Sequence, residues 1–501
     1  MISIYYKDSA YGTSVFHLAK AFFPHGKVKQ QVDIEQEPLL RIAINGGTCF
    51  SIYKDDLSNA GININSHEKV KRFIIKKAYG FFHYRTKKSL PWGILTGVRP
   101  TKLATAALEH LKKDLAVNML CNEYFVAREK AELAVDVACR ERNIISNLDL
   151  ATGFSLYINI PFCPSICTYC SFGSANINKW LDKTDAYVSA LCKEIEILGE
   201  FTVGNHLNTI YIGGGTPTSL EVYQLERILD TIDKSFSKNK LVEYTMEAGR
   251  PDTITREKLI LLREYPITRI SINPQTMHQR TLDKIGRGHK SASILSAYEM
   301  ARSEGFDNIN MDIIIGLPGE GVKEVKQTLI EIEKMNPDSL TIHSLAIKRA
   351  SKYGEEHNLY EFQANRNPKK EVDNMEIDKH NYYDKSIKLD YHNEIEEIFN
   401  LCSDFTKRMD MTPYYLYRQK NITGNFENVG FAKVDKAGIY NILIMEEVQT
   451  IFGAGSSAVT KIVAPKDTYI DDETAKIRRF NNPKDIKLYI EKKSNNNRFK
   501  S

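Results

Sequence analysis

Ser155-Leu-Tyr-Ile-Asn-Ile-Pro-Phe-Cys-Pro-Ser-Ile-Cys-Thr-Tyr-Cys170 opens as a short β-rich run and breaks at Pro161 into a loop that carries Cys163, Cys167 and Cys170. Three thiolates from one short loop can hold three irons of a [4Fe-4S] cluster and leave the fourth iron without a protein ligand, open as a docking point. A structural zinc site normally takes four ligands, often as two separated C-x2-C pairs, and no fourth Cys or His lies in this loop. Disulfides require an oxidising compartment, whereas the start Met1-Ile-Ser-Ile-Tyr-Tyr-Lys-Asp8 has no apolar signal core. Cys49, Cys121, Cys139, Cys192 and Cys402 are scattered singly and read as reduced, mostly buried thiols.

Outward from this run, short β-rich pieces alternate with longer stretches of helical pattern from about residue 155 to residue 347, the mark of repeated βα units and a parallel sheet. The expected strands are Ser155 to Ile160, Thr209 to Gly213, Glu243 to Glu247, Arg269 to Asn273, Asn310 to Ile315 and Ser339 to Ser344. Six units predict an α/β fold, a partial (β/α)6 barrel, with its chemistry where strands end and βα loops begin. We expect the barrel over 151–350, an N-terminal α+β domain over 1–150, and a polar mobile connection over 351–395. A C-terminal α+β extension over 396–501 would cover the substrate and end in a frayed tail. The run Pro91-Trp-Gly-Ile-Leu-Thr-Gly-Val-Arg-Pro-Thr-Lys102 has turn-forming residues at set positions but suggests no chemistry.

At 501 residues, 42% of them hydrophobic, the chain is long enough for two or three cores. No apolar run approaches the roughly 20 residues of a membrane span, and a soluble cytoplasmic protein is expected. The 68 basic and 63 acidic side chains leave a net charge of +5, too evenly spread to indicate nucleic acid.

The three-cysteine loop resembles the C-x3-C-x-(aromatic)-C signature of the radical S-adenosylmethionine (SAM) superfamily. There the amino and carboxylate groups of SAM bind the open iron, and an electron from the cluster cleaves the sulfonium to a 5'-deoxyadenosyl radical. Thr209-Ile-Tyr-Ile-Gly-Gly-Gly-Thr-Pro217 runs from a strand into three glycines, which allow close backbone approach to a ligand. It lacks the G-x-G-x-x-G spacing of a dinucleotide fold and the Lys of a phosphate loop, and it resembles the element that contacts the methionyl end of SAM. Glu247 and Asp312 stand on later strands, where carboxylates can offset a sulfonium or ammonium and accept from ribose hydroxyls. Gln275 and Arg287 follow the same logic.

Further motifs narrow the resemblance to the oxygen-independent coproporphyrinogen III oxidase group, in its HemZ-type branch. They are Glu247-Ala-Gly-Arg-Pro-Asp-Thr253, Asn310-Met-Asp-Ile-Ile-Ile-Gly-Leu-Pro-Gly319, His343-Ser-Leu-Ala-Ile-Lys-Arg-Ala350 and Tyr414-Tyr-Leu-Tyr-Arg-Gln-Lys-Asn421. The resemblance implies two SAM molecules. Tyr157, Gly214 and Glu247 would contact the cluster-bound one, and Tyr169, Gly215, Thr216, Gln275, Arg287 and Asp312 the second, with Ala346 and Ala454 as further contacts. It also implies oxidative decarboxylation of two propionates of coproporphyrinogen III, a tetrapyrrole, to give protoporphyrinogen IX, with electrons from a donor such as a flavodoxin or ferredoxin. Arg418, Lys420, Arg99 and Lys102 are candidate partners for ionised propionates. The chain departs from some oxidases of the group at Phe172, where they have an extra Cys, and at Asn159, where they have His. Related proteins without that Cys include haem chaperones, which makes a haem-trafficking protein the rival reading.

Overall fold

Strand after strand of the central sheet, as in Leu156-Tyr-Ile-Asn-Ile160, Glu243-Tyr-Thr-Met-Glu247 and Arg269-Ile-Ser-Ile-Asn273, sets a polar or tyrosyl residue at every second position. Successive side chains of a strand point to opposite faces, so each strand carries one apolar and one polar face. In the computed structural model, which describes residues 1–23, 26–33, 38–170, 173–345, 387–418, 426–464 and 477–494, the apolar faces form the core. Leu156, Ile158, Ile210, Ile212, Met246, Ile270, Met311, Ile313, Leu340 and Ile342 are all at most 2% exposed. Burying each such side chain stabilises the fold by about 1.5–3 kcal/mol.

The chain forms two units, Met1–Cys139 with Leu416–Glu427 and Arg140–Tyr415 with Asn428–Ser501. In the first, β1 (Ile2–Tyr6), β2 (Val28–Val32), β3 (Leu40–Ile44) and β4 (Gly47–Ile52) make a sheet of order β2-β1-β3-β4. Helices Ser9–Phe22 and His67–Thr86 share its core through Val15, Leu18, Ile74 and Phe82. The turn-rich run from Pro91 closes on residues 416–427 of the same unit. Trp92 Nε1 and Lys130 Nζ each donate to the buried Glu427 carboxylate at 2.8 Å.

The second unit holds β5 (Gly153–Ile160), β6 (Phe162–Cys163), β7 (Ala175–Asn176), β8 (His206–Gly214), β9 (Glu243–Glu247), β10 (Arg269–Ser271), β11 (Ile309–Ile315) and β12 (Ser339–Ser344). After them in the chain come β13 (Thr412–Arg418) and β14 (Glu427–Ala432), whose residues 416–418 and 427 count with the first unit, then β15 (Thr450–Ala454), β16 (Val459–Val463) and β17 (Ile477–Asn481). The large sheet runs β13-β14-β12-β11-β10-β9-β8-β5-β15-β16-β17, and the six strands expected from sequence are its parallel core. Helices such as Thr184–Phe201, Val222–Ser235 and Val322–Met335 connect them, the right-handed βα logic of a partial barrel. A seventh parallel strand was not foreseen: β15 pairs with β5 in the register Gly453 to Tyr157 and Ala454 to Ile158.

Candidate cluster and cofactor site

Where β5 ends, Phe162 and Cys163 pair with Ala175 and Asn176, which closes the cysteine loop at its base. The Thr168 amide donates to the Ile285 carbonyl at 3.0 Å and fixes its middle, and the Cys170 amide donates to the Cys167 carbonyl at 3.1 Å and turns its end. None of the three cysteines is in a disulfide. Each has its own polar neighbour: Thr216 Oγ1 lies 3.4 Å from Cys163 Sγ, Arg287 Nη1 3.9 Å from Cys167 Sγ, and Ser174 Oγ 3.6 Å from Cys170 Sγ. Burial pushes the Cys163 thiol up, while the Thr216 hydrogen bond and the charge of Arg250 act in the other direction. Among the described residues no three His, Cys, Asp or Glu side chains converge as ligands of a single ion.

The triple glycine folds against this loop. The Gly215 and Thr216 amides donate to the Ile160 and Phe162 carbonyls, both at 2.7 Å. Gly214 has φ of +110° and a Cβ there would fall 2.1 Å from Asn159 Oδ1, while one on Gly215 would meet Cys163 Sγ at 3.0 Å. Only glycine tolerates both the conformation and the approach.

The polar faces of the strands line the barrel interior. Tyr211 Oη donates a very short hydrogen bond to Glu247 Oε1, and the Gly214 amide donates to Oε2 at 3.3 Å. Burial raises the Glu247 carboxyl to about 7, against the pull of Tyr211, so near neutrality it exchanges its proton readily. Tyr157, Tyr211 and Tyr440 stack, the last two with centroids 4.6 Å apart. Asp312 takes Asn310 Nδ2 at 2.8 Å and lies 3.8 Å from His343 Nε2. Burial would raise its carboxyl, but His343 and Asn310 outweigh that and leave it below the ordinary range. Below these, Arg269 Nη2 reaches Ser339 Oγ at 2.9 Å, and Glu243 accepts from the Ile439 and Tyr440 amides, seating helix Ile439–Glu446 in the barrel.

Gln275 adopts φ of 65°, unusual for a side-chain-bearing residue. Its backbone bridges to β11 through the Asp312 carbonyl at 2.8 Å and the Ile314 amide at 3.0 Å. Its buried Oε1 has no partner among the described residues. Strain of about 1–3 kcal/mol held next to an unsatisfied oxygen suits a ligand site. Arg287 donates to the Gly249 and Asn273 carbonyls at 2.6 and 2.5 Å and to Tyr169 Oη at 3.3 Å, which joins the cysteine loop to β9 and β10.

On the C-terminal side, Asn159 Nδ2 donates to the Ser456 carbonyl and Asn159 Oδ1 accepts from Tyr157 Oη at 3.0 Å. Ala454 is fully buried on β15 beside β5. Glu194, 2% exposed, accepts from the Gly455 amide, Asn482 Nδ2 and Tyr489 Oη. Ala346, Phe172 and Lys420 lie outside the described residues, as do 351–386 of the expected connection. Arg418 departs from its expected role. It is 3% exposed, with Nη1 donating to the Leu95 carbonyl at 2.5 Å inside the first unit, and burial lowers its pKa to about 10. Arg99 is half-buried and Lys102 exposed on that unit. Tyr211, His343, Arg269 and Glu243 were not singled out from sequence. The polar alternation along their strands is the signal that marks them.

Three cysteines on one loop, a glycine turn against them and a polar barrel interior define a radical SAM protein, and the Radical SAM superfamily profile matches residues 157–332. The chain is 41% identical over 406 residues to the oxygen-independent coproporphyrinogen-III oxidase-like protein HemZ of Bacillus subtilis, covering 80% of this chain and 74% of that protein. It is 37% identical over 195 residues to the heme chaperone HemW of the same organism, covering 39% of this chain and 51% of HemW. Among solved structures, coproporphyrinogen III oxidase (HemN) of Escherichia coli shares the fold, with a TM-score of 0.51 at 20% identity over 69% of this chain and 70% of that one. The chain belongs to the HemZ-type branch of the oxygen-independent coproporphyrinogen III oxidase family.

This family implies a [4Fe-4S] cluster and SAM, and the residues fit both: three cysteines outside any disulfide, backed by a glycine cradle that a Cβ would fill, beside an unsatisfied buried amide oxygen. No helix among the described residues is long and apolar enough to cross a membrane.

Proposed function

We propose that this chain is a cytoplasmic oxidoreductase that decarboxylates two propionate side chains of coproporphyrinogen III to vinyl groups without oxygen. The observation that carries the reading is the 41% match to HemZ, which extends well beyond the barrel. Cys163, Cys167 and Cys170 would hold the cluster. Bound together, cluster and SAM supply a 5'-deoxyadenosyl radical, the oxidising power for the propionate β-carbon.

The chain's own residues bind, orient and shield. Tyr157, Gly214 and Glu247 stand on β5, β8 and β9, where they would receive one SAM. A Glu247 carboxylate that has released its proton offsets the positive charge of that ligand. Tyr169, Gly215, Thr216, Gln275, Arg287 and Asp312, with Ala346 and Ala454 as further contacts, would receive a second. Helix Ile439–Glu446, seated on Glu243, and the stack of Tyr157, Tyr211 and Tyr440 line one end of the barrel interior. A small acidic electron-transfer protein of the flavodoxin or ferredoxin type would reduce the cluster.

The test is an anaerobic assay of cluster-reconstituted protein with SAM, reductant and coproporphyrinogen III. Loss of two carboxyl groups matched by 5'-deoxyadenosine supports the enzyme. Deoxyadenosine with unchanged porphyrin sends the search to another substrate, and tight haem binding with neither product favours the chaperone reading suggested by HemW.

A further inference from the structure

Between the first two thiols of the loop stands Ser165, and a single guanidinium holds it. Arg250, 3% exposed, donates from Nη1 to Ser165 Oγ at 2.9 Å and to the Ser165 carbonyl at 3.3 Å. Its Nε and Nη2 grip both oxygens of Asp252, at 3.0 and 2.9 Å. Ser165 Oγ passes the contact on to the Gly286 carbonyl at 2.8 Å. A guanidinium forked on a carboxylate is fixed in plane and direction, so its remaining nitrogen points where the fork aims it. Here it aims at the loop that must present three sulfurs at once. Nearby, the imidazole of His289 is buried and neutral, leaving Arg250 and Arg287 as the cations behind the loop.

We propose that Arg250 is a positioning residue for the cluster, setting the loop between Cys163 and Cys167 and placing a buried positive charge behind its thiolates. This rests on the radical SAM reading of the site and concerns the loop alone, independent of substrate. The two contributions separate by substitution. Lysine keeps the charge and loses the fork, whereas glutamine loses both.

The experiment reconstitutes wild type, R250K and R250Q anaerobically and measures iron and sulfide per chain, the rate of cluster release to a chelator, and the midpoint potential of the cluster. R250Q should release its cluster about tenfold faster or more, the usual scale for groups that orient metal ligands, with a midpoint shifted to more negative potential. R250K should release it nearly as fast but keep a midpoint close to wild type. Wild-type iron content, release rate and midpoint in R250Q would overturn the proposal. If R250Q does not fold, S165A carries the test: faster release at an unchanged melting temperature supports the role, and unchanged release overturns it. A wild-type chain that takes up no iron would overturn the cluster reading, and this proposal with it.

Discussion

Asn159 Nδ2 donates to the Ser456 carbonyl at 2.6 Å, tying the end of β5 to a turn 297 positions later in the chain. The same amide accepts from Tyr157 Oη. Asn159→Ala would leave a buried carbonyl and a phenol without partners, at about 1–3 kcal/mol. Denaturant unfolding should report that loss, and the variant should bind SAM more weakly than wild type. Unchanged SAM affinity would detach Asn159 from the cofactor site.

Glu247 makes SAM binding pH-dependent. Its carboxyl is raised to about 7, so a cationic ligand that needs the carboxylate must displace a proton below that pH. Affinity should fall up to about tenfold for each pH unit under 7 and level off above it. Equilibrium dialysis of reconstituted protein from pH 5.5 to 8.5 reads the slope. Glu247→Gln should bind weakly with no slope, and a flat wild-type profile would remove Glu247 from contact with SAM.

Glu141 is 2% exposed, neither of its oxygens has a partner among the described residues, and burial, with Glu446 second, raises its carboxyl to about 9. Unfolded, the group ionises near 4.5. Between those values only the unfolded chain gives up the proton, so stability is full below pH 4.5 and declines as pH rises to about 9. Glu141→Gln removes this drain. At pH 8 it should be more stable than wild type by roughly 5 kcal/mol and melt higher, and it should show little difference at pH 4.5.

Glu194 holds three donors from beyond residue 454, the Gly455 amide, Asn482 and Tyr489. Glu194→Ala should destabilise the second unit by roughly 3 kcal/mol. Amide exchange should then rise at 455–457 and in helix Ile486–Ser494 together. Exchange confined to one of the two would show that Glu194 does not couple them.

Cys167→Ala should leave the circular dichroism of the barrel intact while iron per chain and SAM cleavage are lost. Normal deoxyadenosine formation by this variant would refute the assignment of the loop as the cluster site.

The loop and the six parallel strands were legible because their signals are local: cysteine spacing, glycine turns and short β-rich runs. The seventh strand was not, since Thr450-Ile-Phe-Gly-Ala454 lies about 100 residues beyond the run of βα units and its pairing with β5 is decided by tertiary packing. Arg418 read as a propionate partner because a charge in sequence carries no burial, whereas its guanidinium satisfies the Leu95 carbonyl. Arg250 sat in plain view beside Glu247, but its meaning depends on Ser165, 85 positions earlier.

The pairing of β15 with β5 also dictates an order of assembly. During synthesis β5 and the cysteine loop leave the ribosome long before β15 exists, and a parallel pairing over so great a separation closes late. Until then the edge of β5 and the thiols beside it lie open to aggregation and oxidation. A chain that ends before Thr450 would therefore present β5 with an unpaired edge beside the cysteine loop.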